Sequence, residues 1–465
     1  MAATAWKRVL VPFGKTDLAV RVPPQTETLA MDSTAPLPEI RAAVERNLNQ
    51  PIGTPALDKI IAGKGSPNRM KVALVVSDIT RPVPYRGESG ILIPLLTYLE
   101  ACGVPRSGIR IIVATGMHRP STAEERLQMM GPEIVRAYAI EDHDGENPLG
   151  LRLVGRTQAG TPVSINRTFL DADLKICTGL VESHFMAGFS GGRKSVCPGL
   201  VDRSTLQRFH GPLFLDNAKA ENLVLKGNPC HEEALQIAGM AGVDFILNVT
   251  VNEKYETTGV YGGDMVEAHL KACEQVRRAV SIPIDHPFDI ILTHGGYAGL
   301  NHYQTAKAAC AALDALKKGG TLIIAGCHGD QDPVGSDEYA TLLHLLKLQG
   351  PDRYVEILKS PTWQFTKDQW EPQMWGKVLR KVGEGGIIYC CPQIPEGDFC
   401  RIPGRSGYDF LKGRRQETSE GLTRSMLRNA LKSVHGEFVK RRGAEPTVAF
   451  LRDGPYGIPV RRRSA

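Results

Sequence analysis

Short apolar runs alternate with helix-like segments along most of the chain. The run KVALVVSD at 71–78 precedes an apolar helix-like segment at 91–103, and IRIIVATG follows at 109–116. Strands that are buried on both faces have continuous Val, Ile and Leu runs, and their alternation with helices is typical of a mostly parallel sheet. The pattern predicts an α/β fold in which helices cover the sheet.

The same alternation restarts after a proline-rich connector near 275–285. The segment FDIILTHGG at 288–296 has the pattern of a fresh strand, and a helix is predicted from about Tyr303 to Lys318. We therefore predict two α/β domains with parallel or mixed sheets covered by helices, at residues 1–278 and 279–465. The N-terminal stretch to about residue 52 is less regular, and its pattern assigns it to neither sheet.

Polar residues gather where three of the predicted strands end. Because ligands of open α/β sheets bind beyond the carboxyl ends of the strands, we expect the three following loops to face one site. The residues in these loops are Asp78, Thr80 and Arg81, then Thr115, Gly116, His118 and Arg119, and then Glu182, Ser183 and His184.

The strongest local feature is ESHFMAGFSGGRKSVCPG at 182–199. Its glycines allow a close approach of the backbone to a ligand, and the neighbouring Arg193 and Lys194 supply charge for a phosphate or carboxylate. A phosphate-binding P-loop needs glycine directly before the lysine, where this chain has Arg193, so a nucleoside triphosphatase is disfavoured. The alternative interpretation is a surface turn between a strand and a helix.

Composition narrows the classes of function. The 465 residues contain no apolar run of about 18 residues, so a membrane protein is not expected, and the net charge of +6 is spread thinly outside the C-terminal VRRRSA. Nucleic-acid binding is therefore not expected, and that tail is interpreted as a solvated end. The first residues lack the pattern of an export signal. The ten scattered cysteines form no C-x-x-C pair, which indicates reduced side chains in a cytoplasmic protein without a structural zinc site.

Histidines supply candidate proton-transfer and metal-binding groups. His118, His184 and His210 each lie in a glycine-rich or polar loop, and the absence of H-E-x-x-H leaves a zincin-type hydrolase unsupported. Seven further histidines lack such a context and are interpreted as structural: His143, His231, His269, His286, His328, His344 and His435.

A second polar group opens the helix predicted after residue 300. Tyr303 and Gln304 precede Lys307 by four and three residues, so the three side chains share one side of the helix. They could bind an anionic small molecule or form a solvated helix face, and the spacing alone leaves both open.

Five motifs in order resemble the nickel-dependent lactate racemase family over roughly residues 70–375. They are D-x-T-R-P at Asp78 to Pro82, G-M-H-R at Gly116 to Arg119, H-F-M-A-G-F-S-G-G-R-K-S at His184 to Ser195, the later His210, and Y-Q-x-x-K at Tyr303 to Lys307. The resemblance implies two fused α/β domains with the active site in the cleft between them.

The resemblance also implies a cofactor, the nickel pincer nucleotide. It is a nickel-bearing pyridinium-3-thioamide-5-thiocarboxylic acid mononucleotide, attached covalently through Lys194, with His210 as the protein ligand of nickel. His118 and His184 are implied as the two acid/base residues. The further implied cofactor-binding residues are Asp78, Thr80, Ser190, Gly191, Gly192, Arg193 and Trp370, with Trp363 and Trp375 as other candidates for the tryptophan. Arg81 and Lys307 are implied to hold the substrate carboxylate, and Tyr303 and Gln304 to line the site.

The implied activity is inversion of C2 of a 2-hydroxy carboxylic acid by reversible hydride transfer through a 2-keto acid. Met186 and Phe189 could shape the pocket for the substrate. The implied partners are the small-molecule substrate and, transiently, the proteins that make the cofactor. One alternative is a nicotinamide-dependent dehydrogenase, which is disfavoured because no G-x-G-x-x-G follows a strand. Another is a non-catalytic cofactor-binding protein, against which the presence of both His118 and His184 argues.

Overall fold

The structure, a computed structural model, describes residues 5–296, 299–413 and 418–462. Its strands are β1 Lys7–Phe13, β2 Thr16–Val22, β3 Glu27–Leu29, β4 Val72–Ser77, β5 Ile109–Ala114, β6 Ala139–Asp142, β7 Leu151–Arg156, β8 Pro162–Asn166, β9 Leu174–Leu180, β10 Ser183–His184, β11 Gly188–Phe189, β12 Phe245–Val251, β13 Thr257–Gly263, β14 Ser281–Ile284, β15 Phe288–His294, β16 Leu316–Ala325, β17 Ile387–Cys390, β18 Arg405–Ser406, β19 Val448–Leu451 and β20 Ile458–Arg461.

The helices alternate with these strands. They are α1 Ile40–Asn49, α2 Leu57–Gly63, α3 Leu92–Ala101, α4 Ala123–Met130, α5 Pro132–Ala137, α6 Arg167–Leu170, α7 Arg203–Phe209, α8 Pro212–Leu215, α9 Pro229–Ala241, α10 Glu267–Val280, α11 His302–Ala311, α12 Asp337–Lys359, α13 Trp370–Val382 and α14 Ser419–Arg442. Within the described residues, no helix is both long enough and apolar enough to cross a membrane.

The chain divides into two compact units. The first unit is Ser33–Ala279, and the second unit consists of Met1–Asp32 and Val280–Ala465. The first unit contains a six-stranded sheet in the order β13-β12-β9-β4-β5-β6. Only β13 runs antiparallel to its neighbour; the other pairs are parallel. The predicted strands at 71–78 and 109–116 are the adjacent β4 and β5.

The apolar runs form these strands because both faces of the sheet are covered. Five of the six side chains of β4 are buried, and Leu92 and Leu99 of α3 are fully buried against one face. Gly103, with φ of +89°, follows this helix and allows the chain to turn back into β5.

The second unit contains a parallel six-stranded sheet in the order β18-β17-β16-β15-β19-β3. Met426 and Leu431 of helix α14 are buried against this sheet. Val11 and Val20 of the β1–β2 hairpin belong to the same buried cluster. Both units are thus helix-covered sheets, which confirms the predicted α/β class.

Two features differ from the sequence prediction. Residues 5–32, placed by sequence in the first domain, lie with the second unit because β3 pairs with β19. The helix predicted to reach Lys318 ends at Ala311, since Leu316 already pairs with Phe288 in the sheet. The glycine pair at 319–320, with Gly319 at φ of +72°, accommodates a register shift inside β16.

Candidate functional site

Three loops meet at one edge of the first unit. Strands β9, β4 and β5 are parallel neighbours, so their carboxyl ends lie side by side and bring together the polar residues that follow them. His118 Nδ1 lies 2.5 Å from an Asp78 carboxylate oxygen, and Arg81 Nε lies 4.0 Å from Glu182. The predicted convergence of these loops is present in the structure.

Asp78 and His118 form a hydrogen-bonded pair. Asp78 is 7% exposed, and its other carboxylate oxygen accepts from the Thr80 hydroxyl at 2.6 Å. Burial raises the pKa of Asp78, but the His118 hydrogen bond and charge, with help from Thr80 and Arg81, bring the pKa below its ordinary value. An ionised Asp78 accepts the proton of His118 Nδ1, so His118 Nε2 keeps its lone pair.

His184 differs from His118 in that its Nδ1 accepts hydrogen bonds instead of donating one. It lies in the short β10–β11 hairpin, where its Nδ1 accepts from the backbone N–H groups of Met186 and Ala187 at 3.2 and 3.3 Å. A neutral imidazole that accepts at Nδ1 carries its proton on Nε2. That Nε2 lies 3.2 Å from Lys194 Nζ, so the imidazole donates and the lysine amine accepts.

Lys194 sits in the 3₁₀ turn Gly192–Ser195 and is half-buried. Burial, followed by the positive charges of Arg81 and Arg193, lowers the pKa of Lys194 to about 7. The lowered pKa agrees with the hydrogen bond in which this amine accepts from His184. A substantial neutral fraction near pH 7 makes Lys194 a nucleophile, unlike an ordinary surface lysine.

Arg193 points away from the loop surface into the interior. Its guanidinium is 1% exposed and donates to the carbonyls of Ala187 and Phe189, both at 2.9 Å, while Nη1 lies 2.9 Å from His269 Nε2. These contacts favour a role in shaping the loop over direct contact with a cofactor.

One face of α10 supports this loop. His269, Cys273 and Arg277 recur every four residues; the His269 ring meets Ser190 and Arg193, and the Arg277 guanidinium lies 5.2 Å above the Phe189 ring. Sequence reasoning interpreted His269 as structural without identifying its partners. The i, i+4, i+8 spacing was the available signal, but nothing in the sequence indicated which loop it contacts.

The two loop glycines have no room for a side chain. Gly191 and Gly192 have φ of +72° and +53°, and a Cβ on Gly192 would lie 2.8 Å from the His269 ring. The Gly192 N–H donates to the fully buried Asn248 at 2.8 Å, and the Ser190 hydroxyl donates to the Leu180 carbonyl at 2.8 Å. Glycine is therefore required at 192 for both conformation and packing.

We expect Gly192→Ala to destabilise the first unit by about 2–4 kcal/mol, because a positive φ and overpacking each cost an alanine about 1–2 kcal/mol or more. Urea unfolding measures this loss. Gly239→Ala is the matched control, since Gly239 lies in α9 with no atom within 4 Å of the added Cβ; it should stabilise by about 0.5–1 kcal/mol. Equal effects at both positions would contradict the packing argument.

His210 directly follows α7 as its C-cap residue, and Asp202 caps the first turn of that helix. Desolvation and then the charges of Lys194 and His118 lower the pKa of His210 to about 3. The imidazole is therefore neutral at physiological pH, which is the form that binds transition metals.

The residues around Lys194 and His210 in the first unit fit the nickel pincer nucleotide that the motif resemblance implies. Among the described residues, no three His, Cys, Asp or Glu side chains gather into a metal site. The motif resemblance implies a single protein ligand to nickel, His210, which does not call for such a cluster. A neutral imidazole at His210 and a nucleophilic amine at Lys194 are the two groups that such a cofactor requires.

The remaining predicted residues lie in the second unit. Asn301 caps α11 by accepting from the Gln304 N–H at 2.9 Å, and the Tyr303 hydroxyl accepts from Trp370 Nε1 at 2.7 Å. The positive charge of Lys307 acts on the buried Glu371, whose pKa burial nevertheless raises well above its ordinary value.

Of the three candidate tryptophans, Trp370 is the one that contacts Tyr303. Trp363 Nε1 donates to Gln369 and Trp375 Nε1 to Tyr339, so each has a partner elsewhere in the second unit. The structure thus forms two groups of predicted residues, each within its own unit. The first unit holds Asp78, Thr80, Arg81, His118, His184, Ser190, Gly191, Gly192, Arg193, Lys194 and His210, and the second holds Tyr303, Gln304, Lys307 and Trp370.

Comparisons with known proteins agree over most of the chain. Residues 13–222 match the lactate racemase N-terminal domain, and residues 285–393 match the lactate racemase C-terminal domain. The lactate racemase of Lactiplantibacillus plantarum is 35% identical over 338 residues, covering 72% of this chain and 77% of that protein. The lactate racemase of Thermoanaerobacterium thermosaccharolyticum is 32% identical over 375 residues, covering 79% and 85%.

Solved structures show the same fold. The lactate racemase apoprotein from Thermoanaerobacterium thermosaccharolyticum matches with a TM-score of 0.80 at 27% identity, over 98% of this chain and all of that one. A Thermotoga maritima protein matches with a TM-score of 0.61 at 18% identity, over 93% of this chain and all of that one. At this identity, the match shows a shared fold and nothing about function.

Proposed function

The chain belongs to the lactate racemase family and is an isomerase, and from this premise we propose that it inverts C2 of a 2-hydroxy carboxylic acid by reversible hydride transfer through a planar 2-keto acid. The observation that carries the proposal is a pair of histidines in the first unit whose ring protons lie on different nitrogens. His118 presents a lone pair on Nε2, and His184 presents a proton on Nε2.

Direct removal of the C2 proton would place a second negative charge beside the substrate carboxylate, which is unfavourable. Hydride transfer avoids that carbanion. We propose that Lys194 and His210 hold a nickel pincer nucleotide, which supplies the hydride acceptor when bound.

The chain's own residues then supply binding and proton transfer. His118 Nε2 accepts the proton of the substrate hydroxyl, and Asp78 stabilises the imidazolium that forms. His184 donates its Nε2 proton to the keto oxygen when the opposite enantiomer forms, and the two histidines exchange these roles in the reverse direction. The half-buried Arg81 guanidinium pairs with the substrate carboxylate, which keeps that group fixed while C2 changes configuration. We propose that Tyr303, Gln304, Lys307 and Trp370 also contribute to substrate and cofactor binding.

Isotope retention tests this proposal. Protein co-produced with a nickel-pincer biosynthetic system is incubated with one enantiomer of lactate deuterated at C2, then with other 2-hydroxy acids. Returned hydride should leave deuterium on C2 of the inverted product, as measured by chiral chromatography and mass spectrometry. Replacement by solvent hydrogen would contradict hydride transfer and indicate proton removal.

Two controls separate the alternatives. His118→Ala should stop inversion while leaving the cofactor adduct mass unchanged, because His118 transfers protons and makes no covalent bond. Consumption of added nicotinamide dinucleotide would instead identify a dehydrogenase. Fully loaded protein that inverts no 2-hydroxy acid in the panel would identify a non-catalytic cofactor-binding protein.

A further inference from the structure

We propose that the chain, before it carries a cofactor, condenses the Lys194 amine with small 2-keto acids to form an imine. Three groups of the first unit give the chemistry: the Lys194 amine, the His184 imidazole 3.2 Å from it, and the Arg81 guanidinium, whose charge acts on Lys194. The inference concerns the unloaded protein and goes beyond the proposed racemase activity.

The first requirement is a neutral amine. The Met186 and Ala187 N–H groups occupy the Nδ1 lone pair of His184, so Nε2 is the protonated nitrogen and Lys194 Nζ must accept. An ammonium group has no lone pair to accept with. The hydrogen-bond pattern therefore requires the unprotonated amine, which is the form that attacks a carbonyl.

The charges around Lys194 act in the same direction. Arg81 and Arg193 disfavour a further positive charge, whereas the thiols of Cys197 and Cys230 act weakly in the opposite sense. His184 does not offset the arginines, because its imidazole is the hydrogen-bond donor to Lys194. At pH 7 an ordinary lysine is about one part in 10³ neutral, whereas a pKa of about 7 leaves roughly half of Lys194 neutral.

The second requirement is proton transfer within the adduct. Lys194 Nζ attacks the keto carbon, a C–N bond forms, and the carbonyl π electrons move to oxygen. His184 donates its Nε2 proton to that oxygen and takes one from the nitrogen, giving a neutral carbinolamine. The C–O bond then breaks as the nitrogen lone pair forms C=N, and the hydroxyl leaves as water with the last amine proton. Ketone and amine become imine and water, so no oxidant or reductant is needed.

The third requirement is selection of a keto acid over a simple ketone. Arg81 Nε lies 4.0 Å from a Glu182 carboxylate oxygen, which is too long for a direct hydrogen bond. The Arg81 guanidinium therefore has donors available for a carboxylate beside the reacting carbonyl.

Reductive trapping tests the proposal on the full-length protein produced without the cofactor biosynthetic system. The chain is incubated with pyruvate and sodium cyanoborohydride, which reduces imines to stable secondary amines, and is then analysed by intact mass and peptide mapping. We expect one adduct per chain, on Lys194, formed at least about 10²-fold faster at pH 7 than on any exposed lysine. Its rate should rise with pH to about 7 and then level off.

Variants identify the contributing groups. Lys194→Arg should abolish the adduct, whereas Lys226→Arg, at an exposed lysine, should leave its rate unchanged. Arg81→Gln should slow trapping of pyruvate at least tenfold more than trapping of acetone, which slows only as far as loss of the Arg81 charge raises the pKa of Lys194. Modification distributed over exposed lysines, or equal trapping of pyruvate and acetone by the unmodified chain, would overturn the proposal. Racemisation is measured on loaded protein, so failure of either proposal is seen independently of the other.

Discussion

Lys194→Arg is expected to give a chain that gains no covalent cofactor and shows no racemisation, even after co-production with the complete biosynthetic system. Arginine keeps a positive charge and a similar length, but its guanidinium stays protonated and has no lone pair for an attack. In the native chain, burial and then the positive charges of Arg81 and Arg193 lower the pKa of Lys194 to about 7, so much of its amine has the lone pair that the attack needs. Intact mass, nickel content and peptide mapping measure the loss.

Lys226→Arg is the matched control, because Lys226 is exposed and the same substitution there should leave both the adduct and the activity unchanged. Thermal unfolding of both variants shows whether the first unit remains folded. An adduct of native mass on the Lys194→Arg chain would remove this residue from the attachment role. If peptide mapping found that adduct on a different peptide of the Lys194→Arg variant, another nucleophile would be the attachment site.

The location of the candidate site could be predicted from the sequence because parallel strands impose it. Apolar runs at 71–78 and 109–116 predicted neighbouring strands, and polar residues at their carboxyl ends had to converge. Pairing of Asp78 with His118 follows from that convergence, although the two residues are 40 positions apart. The family motifs added the proposed roles of Lys194 and His210, which periodicity alone does not give.

The orientation of individual side chains could not be predicted. The sequence shows Arg193 beside Lys194 as two equivalent cations, yet the structure buries the Arg193 guanidinium against two backbone carbonyls and His269. The His184 tautomer likewise depends on backbone N–H groups within a hairpin of three turn residues. Such contacts arise from loop geometry, which leaves no periodic signal.

Long-range strand pairing could not be predicted from the sequence either. The three-residue strand β3 joins β19, more than 400 residues later, and this pairing places the N-terminal segment with the second unit. A strand this short has too few positions to show an alternating pattern. The family motifs already favoured Trp370 over Trp363 and Trp375, but the hydrogen bond from Trp370 to Tyr303 could not be predicted from the sequence.

Asp78→Asn is expected to lower racemisation by about 10²–10⁴-fold while leaving the Lys194 adduct in place, since loss of the carboxylate from an aspartate–histidine pair has effects of up to about 10⁴ elsewhere. An asparagine amide that donates to Nδ1 moves the His118 proton to Nε2, where the base is needed. It also removes the negative charge that stabilises the imidazolium. In the native chain, the hydrogen bond and charge of His118 outweigh burial and hold the pKa of Asp78 below its ordinary value, so its carboxylate stays ionised in the neutral range.

Chiral chromatography of both reaction directions, with intact mass to show equal loading, measures this effect. Thr80→Val is the matched control, because it removes the 2.6 Å hydrogen bond to Asp78 but keeps the carboxylate; we expect a loss of about tenfold or less. Native rates in Asp78→Asn would exclude His118 as the base that Asp78 orients. An equal loss in both variants would mean that placement of the Asp78 side chain, rather than its charge, controls His118.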